Sequence, residues 1–306
     1  MTALTIAFCT YNRADRLAGL VSALRRQRAP VDFDLLAVNN ASADATLDVL
    51  ATLRAQAGAP LRVVTETAPG IVPARNRAIA ESLDRDWLVF IDDDELPQPG
   101  WLAAAHDALA REGADCVGGR IDIDYGDAAR PRWLDDEIAA FLGRLDHGAE
   151  AFWIRDDSTP LWSGNIGYAM RLFRDDAALR FDERYNRTGE GVGGGEDAMM
   201  FRTLVARGAR LRYRPDMAIL HGVERWKLKR TYFLRLHYLA GRRAGRHTLP
   251  DYPRTLFGMP PFLLGQSMRH IGRALALHAA GRPGALRQAM NAAHALGCAT
   301  GFRQRA

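Results

Sequence analysis

The first hundred residues alternate short apolar runs with stretches of helical period, and that alternation leaves the chain very few architectures. "LTIAFCTY" (4–11) leads into "ADRLAGLVSALRRQ" (14–27), where Leu17, Leu20, Val21 and Leu24 recur at helical spacing. "FDLLAVNN" (33–40) repeats the unit, with Ser42 or Asp44 placed to cap a helix carrying Leu47, Val49, Leu50 and Leu53. "LRVVTE" (61–66), a turn at "APG" (68–70), a helix over 72–83 and "DWLVFIDDD" (86–94) supply a third and fourth strand. Strands that alternate with helices pair in parallel through right-handed crossovers, and such sheets take ligands at the carboxyl ends of their strands. Thr10, Asn12, Asn39, Asn40 and the acids of 92–95 all fall at those ends.

The fourth strand poses the sharpest chemical question. Trp87 to Ile91 are uniformly apolar, as a parallel strand buried on both faces requires, yet Asp92, Asp93, Asp94 and Glu95 follow at once. Adjacent carboxylates repel one another. A hard divalent cation such as Mg²⁺ or Mn²⁺ relieves that repulsion and keeps positions open for phosphate. A solvated acidic turn capping a helix at Trp101 accounts for the same residues without a ligand.

Further on, "GVGGGEDAMMFRTLVARG" joins a glycine-rich loop, able to approach a ligand and to move on closure, to a helix with Met200, Phe201, Leu204 and Val205 on its core face. Glu196 and Asp197 open that helix, where its dipole favours negative charge; they suit a general base, and equally an ordinary cap.

Composition bounds the rest. A chain of 306 residues, 48% hydrophobic and 25% charged, fits one large α/β domain or a domain with an appendage. The start lacks a basic and apolar leader pattern, and no 18-residue apolar run occurs, so a cytoplasmic chain is expected. Cys9, Cys116 and Cys298 are too scattered for a disulfide framework or a metal knuckle. Charge is unevenly spread: from Arg207 onward 19 Lys and Arg face three Asp and Glu, a surplus of +16, against −11 before it. That asymmetry suits an anionic membrane surface or a nucleic acid, or else a solvated arginine-rich face. Within it, "RWKLKRTYFLRLHYLAGRRAGR" interleaves cations with Trp226, Leu228, Tyr232, Phe233, Leu236 and Tyr238, as a helix lying on a membrane does; a helical subdomain packed on the catalytic core, or an RNA-binding arm, accounts for the same composition less completely. Prolines at 250, 253, 260 and 261 precede a further helix expected over 264–280.

Five motifs together resemble family 2 glycosyltransferases of the GT-A fold, over roughly residues 4–222. "IAFCTYNRADRL" resembles the first-strand nucleotide motif, "AVNNASADAT" the second-strand motif, and "APGIVPARNRAIAE" the N-x-G-x-x-x-A-R-N-x-G segment. "FIDDDELPQPGW" resembles the DxD metal motif, and "GGGEDAMMFRTLVARG" the ED motif of the acceptor side. The chain departs from the pattern at Asn39, where the family commonly has aspartate, and at Pro69 and Ala78.

The resemblance implies an α/β, GT-A type nucleotide-diphospho-sugar transferase fold with a Rossmann-like mixed sheet and a basic helical C-terminal region. Residues 1–117 would form the nucleotide-sugar half, 118–222 the acceptor-binding and catalytic half, and 223–306 the basic region. Thr10, Tyr11 and Arg13 would line the base and ribose pocket, Asn39 would offer the base a carbonyl acceptor, and Arg75 would approach the diphosphate or sugar. Asn76 would hold its local turn. Asp94 would bind Mn²⁺ or Mg²⁺, with Asp92 on metal or ribose, His221 as a further ligand, and Asp93 and Glu95 behind them or exposed. Trp162 would stack on an acceptor sugar or pack in the core, and Asn165 would bond the acceptor.

The implied reaction is an inverting, metal-dependent hexosyl or deoxyhexosyl transfer. Its donor is a nucleotide-diphospho-sugar and its acceptor a saccharide, lipid-linked or small-molecule hydroxyl. Asp197 would serve as base, with Glu196 binding acceptor or orienting the loop. The basic tail would hold the protein peripherally on the inner face of the cell membrane, with no nucleic acid expected. A sugar nucleotidyltransferase would carry an Arg- and Lys-bearing glycine loop after the first strand, and a dehydrogenase GxGxxG; neither is present. A basic adaptor with a degenerate sugar-binding domain requires the acids to be inert.

Overall fold

The computed structural model describes residues 3–187 and 194–305 and divides into two compact units. The first comprises Met1–Asp127, Leu142–Glu190 and Gly195–Val223; the second consists chiefly of Ala128–Phe141 and Glu224–Ala306. The halves expected to meet at 117/118 share one sheet within the first unit, and 128–141 joins the C-terminal unit.

The strands of the first unit are β1 (Leu4–Thr10), β2 (Phe33–Asn39), β3 (Leu61–Thr65), β4 (Trp87–Ile91), β5 (Glu95–Pro97), β6 (Cys116–Asp124), β7 (Phe152–Ile154), β8 (Asn165–Ala169) and β9 (Leu211–Gly222). They form one mixed sheet in the order β3-β2-β1-β4-β8-β6-β9-β5, with β7 also paired to β9. The first four strands are parallel, as their alternation with helices predicts; β8 then runs antiparallel to β4 and β6, and β5 antiparallel to β9. Helices α1 (Ala14–Arg25), α2 (Thr46–Arg54), α3 (Ile71–Ala80) and α4 (Trp101–His106) belong to this unit. Across the helix-poor stretch that follows lies α5 (Asp136–Ala139) of the second unit, and α6 (Arg171–Asp175) and α7 (Glu196–Ala206) return to the first.

Burial follows the sequence pattern closely. All seven residues of β1 are buried, and Leu17, Leu20, Val21 and Leu24 face the core from α1. In α2 the expected stripe is narrower. The helix starts only at Thr46, whose N–H bonds Asp44 Oδ1 at 3.0 Å, so Leu50 and Leu53 turn inward while Leu47 stays exposed. Met200, Phe201 and Leu204 of α7 are buried, and Val205 packs partly against the same core. β9 is longer than its apolar run suggested, because it continues through Pro215; Pro has no N–H for a ladder, and there the register against β6 slips between Gly119 and Ile121.

The second unit holds three long helices, α8 (Arg230–His247), α9 (Pro261–Ala279) and α10 (Ala285–Arg303). The helix expected from 264 starts three residues earlier, at Pro261, where a missing N–H has no consequence. α8 buries Phe233, His237, Gly241 and Gly245 along one side. Gly241 and Gly245 lie against the carbonyls of His294 and Cys298, and Gly297 and Gly301 of α10 against those of Tyr238 and Arg242; a Cβ on any of the four would overlap the facing backbone. The aromatics of α8 are thus drawn into this bundle, Phe233 meeting Trp133 edge-on and His237 meeting Phe141. That corrects the expectation that Phe233 enters a lipid headgroup layer. No helix among the described residues is long and apolar enough to cross a membrane.

Candidate active site

The carboxyl ends of β1, β2 and β3 are stitched together by backbone and amide groups. Asn40 N–H bonds Thr10 O at 2.9 Å, and Glu66 N–H bonds Asn39 O at 2.9 Å. The Asn40 side chain donates to Glu66 O and Ala68 O and accepts from Gly70 N–H at 2.7 Å. Gly70 enters α3 with φ of 119°, and a Cβ there would collide with the amide of Asn186, which itself accepts from Val72 N–H. Only glycine fits this corner.

A cleft opens above these ends, lined by Thr10, Tyr11, Arg13, Asn40, Gly70 and Asp93, with Cys9 on its floor. The predicted pocket residues Thr10, Tyr11 and Arg13 therefore come together, with Asn40, noted above only as a strand-end residue, and Gly70 of the turn at 68–70; Arg187 joins them without having been singled out. Asn39 is fully buried below the cleft. Its Oδ1 already accepts from Ser42 N–H at 3.2 Å, while Nδ2 has no hydrogen-bond partner. The expected carbonyl acceptor thus already serves a turn with one of its two lone pairs, and the amide's unused group is a donor. Burial pushes the Cys9 thiol up to about 12, so it is no nucleophile near neutral pH.

The acid run at the end of β4 resolves into different environments. Glu95 is buried, its Oε2 accepting from Asp92 N–H at 2.9 Å; burial, reinforced by the charges of Asp92 and Asp94, raises it well above the usual carboxylate range. Burial and the Asp94 charge raise Asp93 to about 7. The four acids thus do not all carry full charge at neutral pH, which moderates the repulsion their sequence implies. Asp94 Oδ2 lies 3.5 Å from His221 Nε2, brought there by the pairing of β5 with the end of β9, and 3.9 Å from Arg16 Nη1.

Asp92 points to a different partner. Arg75, 3% exposed, donates from Nη2 to Asp92 Oδ1 at 3.0 Å and from Nη1 to Glu196 Oε1 at 3.1 Å and Asp197 Oδ1 at 2.5 Å. Its guanidinium also lies over the ring of Phe181, 5.6 Å from the centroid. Burial works against that charge, but Asp197, Asp92 and Glu196 outweigh it and raise the arginine's pKa. Arg75 here joins the strand-end acids to the start of α7. The proposed metal set divides accordingly, Asp92 going with Arg75 and Asp94 with His221.

At the start of α7, Glu196 and Asp197 differ in access. Glu196 is buried, accepts from Gly195 N–H at 2.9 Å, and is raised by burial and by the Asp197 charge; the Asp197 side chain is 25% exposed. Of the glycine-rich stretch read as a mobile loop, 191–195, residues 191–193 lie outside the described residues.

Two expected contacts are absorbed by the core. Asn165 is buried, its Oδ1 accepting from Trp101 Nε1 at 2.7 Å and its Nδ2 donating to Met217 O at 2.7 Å and Arg120 O at 3.1 Å. Every polar atom of that side chain is used, so Asn165 ties α4, β6 and β9 together rather than bonding an acceptor. Asn165→Leu strands those partners and should destabilise the protein by about 1–3 kcal/mol per orphaned group, read by urea unfolding, without a selective rise in acceptor KM. Trp162 is half-buried and packs against the core. Asn76 exchanges bonds with the backbone of Phe181, at 3.0 and 2.9 Å, and so clamps a distant segment rather than a local turn.

Among the described residues no group of three or more His, Cys, Asp or Glu side chains is arranged to hold a metal ion. The Asp94 and His221 donor atoms lie 3.5 Å apart, somewhat wider than the roughly 3.0 Å between neighbouring ligands of one octahedral cation with bonds of roughly 2.1 Å, so the two would have to close slightly to share one. Mg²⁺-type ions commonly take one or two protein ligands and complete their shell from phosphate and water. The other nitrogen of His221, Nδ1, is buried without a hydrogen-bond partner.

Residues 5–176 match the family model described as Glycosyl transferase family 2. The succinoglycan biosynthesis protein ExoM of Rhizobium meliloti (strain 1021) is 26% identical over 79% of this chain and 74% of its own length. Among solved structures, the mannosyltransferase PcManGT of Pyrobaculum calidifontis, in complex with GDP-Man and Mn²⁺, superposes with a TM-score of 0.58 at 19% identity, covering 95% of this chain and 74% of that one. S. aureus TarS 1-349, in complex with UDP-GlcNAc, gives a TM-score of 0.53 at 17% identity over 82% and 68%. At such identities these two structures speak for the fold, the mixed α/β sheet of the GT-A type.

Proposed function

The chain belongs to glycosyl transferase family 2, and from that premise we propose that it performs a metal-dependent, single-displacement transfer with inversion. The observation that carries this reading is Arg75, which brings the acids after β4 and the acidic start of α7 to one point. A nucleotide-diphospho-sugar would lie in the cleft of Thr10, Tyr11 and Arg13, its diphosphate toward Asp94 and His221. A divalent cation held there would supply positive charge to the departing nucleotide diphosphate. Asp197 takes the proton of the acceptor hydroxyl; the freed oxygen bonds to the anomeric carbon as the bond from that carbon to the diphosphate oxygen breaks. Glu196, buried and bonded to Gly195 N–H and Arg75, holds the loop end and the arginine in place.

One relative named for succinoglycan biosynthesis, and similar folds solved with UDP-GlcNAc or with GDP-Man and Mn²⁺, support a hexose-type donor and a glycan acceptor. The cationic C-terminal unit supports attachment to an anionic membrane surface, where a lipid-linked acceptor would be presented.

A thermal-shift screen of UDP, GDP, dTDP and CMP, with and without Mn²⁺, tests the donor reading; stabilisation by one diphosphate that grows with Mn²⁺ is expected. With that nucleotide, Asp94→Ala should lose at least about tenfold of the Mn²⁺-dependent affinity by calorimetry, while the melting temperature without ligand stays near the parent's. Equal Mn²⁺ dependence in the two proteins removes Asp94 from the metal site.

A further inference from the structure

The C-terminal unit carries an apolar face that its own fold leaves uncovered. On the inner side of α9, Leu263 and Ser267 are buried, and His270 Nδ1 lies 2.9 Å from Gln288 Oε1 of α10. At about 100° per residue the opposite side presents Met268 and Leu275, with Gly265, Gly272 and Ala279 between them and Ile271 at the margin. Met268 is 71% and Leu275 65% exposed. Exposed Arg269 and Arg273 border this strip.

Immediately before α9 the chain doubles back in a tight turn, Leu256 and Met259 exchanging backbone bonds at 2.8 and 3.1 Å. Its tip is Phe257, 78% exposed and held at φ of 53°, a left-handed conformation that bulky residues rarely adopt. A phenyl ring held out on such a turn gains nothing from its own fold.

Charge selects the occupant. From Tyr252 to Ala306 the sequence has seven arginines and no Asp or Glu. A second copy of this face would bring arginine against arginine, because a two-fold contact is self-complementary. A sheet of lipid phosphates instead complements the cationic border and offers the apolar strip a hydrocarbon boundary. We propose that α9 and the Leu256–Phe257 turn form a monotopic docking face for anionic bilayers. Met268, Ile271, Leu275 and Phe257 enter the acyl boundary, and Arg269 and Arg273 meet headgroup phosphates. The proposal rests on the membrane-attachment reading above and narrows it to one face; α8, whose Phe233 and His237 turn inward, is not the docking helix.

Flotation of the full chain with phosphatidylcholine vesicles, with and without phosphatidylglycerol, tests it in the absence of donor and acceptor. Binding is expected only with the acidic lipid, falling as salt rises. Met268→Glu/Leu275→Glu should lose at least about tenfold in affinity. Arg269→Gln/Arg273→Gln should lose about thirtyfold at low salt, roughly fivefold per charge. Trp226→Ser, on the segment before α8, should bind as the parent does. Unchanged circular dichroism and nucleotide-dependent melting establish that each variant folds. Parent-like binding by both double variants overturns the assignment of this face and leaves membrane attachment standing. Absence of binding by the parent at low salt overturns both, with the transferase reading untouched. A concentration-dependent dimer that Met268→Glu/Leu275→Glu abolishes, without vesicle binding, assigns the face to a second copy and also overturns the proposal.

Discussion

Asp197→Asn is expected to lower kcat by about 10²–10⁴-fold while donor affinity stays within about twofold of the parent's. The amide keeps the size of the carboxylate and its place at the start of α7 but cannot accept the acceptor's proton. Asp197 is the better base of the pair because its side chain is 25% exposed, whereas Glu196 is 6% exposed and engaged by Gly195 N–H and Arg75. Turnover with the donor identified by the nucleotide screen, alongside calorimetry of donor binding, separates the two effects. A kcat loss of less than about tenfold transfers the base role to another group. A large loss accompanied by an equal loss of donor affinity points instead to a collapsed site.

The same pair shows which parts of the site could be read from sequence. Local period made α1 legible, since Leu17, Leu20, Val21 and Leu24 lie on one face however the rest of the chain packs. The acids after β4 and the acidic start of α7 were equally visible, because strand ends and helix starts are set by local chemistry. The bonds between them were not. Arg75 meets Asp92 across 17 residues and Asp197 across 122, and no pattern of spacing announces a buried arginine that serves three carboxylates. Asn165 was misread for the same reason: its partners Trp101, Arg120 and Met217 come from three separate elements. In the C-terminal unit the difficulty is one of kind. An amphipathic period states that a helix has an apolar side, not whether protein or lipid covers it. α8 turned out to bury that side, with Gly241 and Gly245 admitting α10, while α9 leaves its own exposed.

Arg75→Met should produce the largest loss of stability, about 3–5 kcal/mol, because it removes the cation from beneath Asp92, Glu196 and Asp197 and leaves carboxylates uncompensated in a buried setting. Methionine fills much of the space of the arginine stem, so the loss reports charge more than volume. Glu196 is the acid with least access to water of the three, and Glu196→Gln in the same chain should recover part of the loss; the double variant is then more stable than Arg75→Met alone. The pH dependence has a definite sign. Burial and the Asp197 charge already raise Glu196 while Arg75 opposes the rise, so removing the arginine raises it further; a raised folded-state pKa favours folding at low pH, and that contribution is lost as pH increases through the folded pKa. The deficit of Arg75→Met relative to the parent should therefore be smaller near about pH 5 than near about pH 8. Urea unfolding of the three proteins at the two pH values measures all of these differences. A deficit under about 1 kcal/mol, or one that grows on acidification, removes Arg75 as the charge that holds the two halves of the site together.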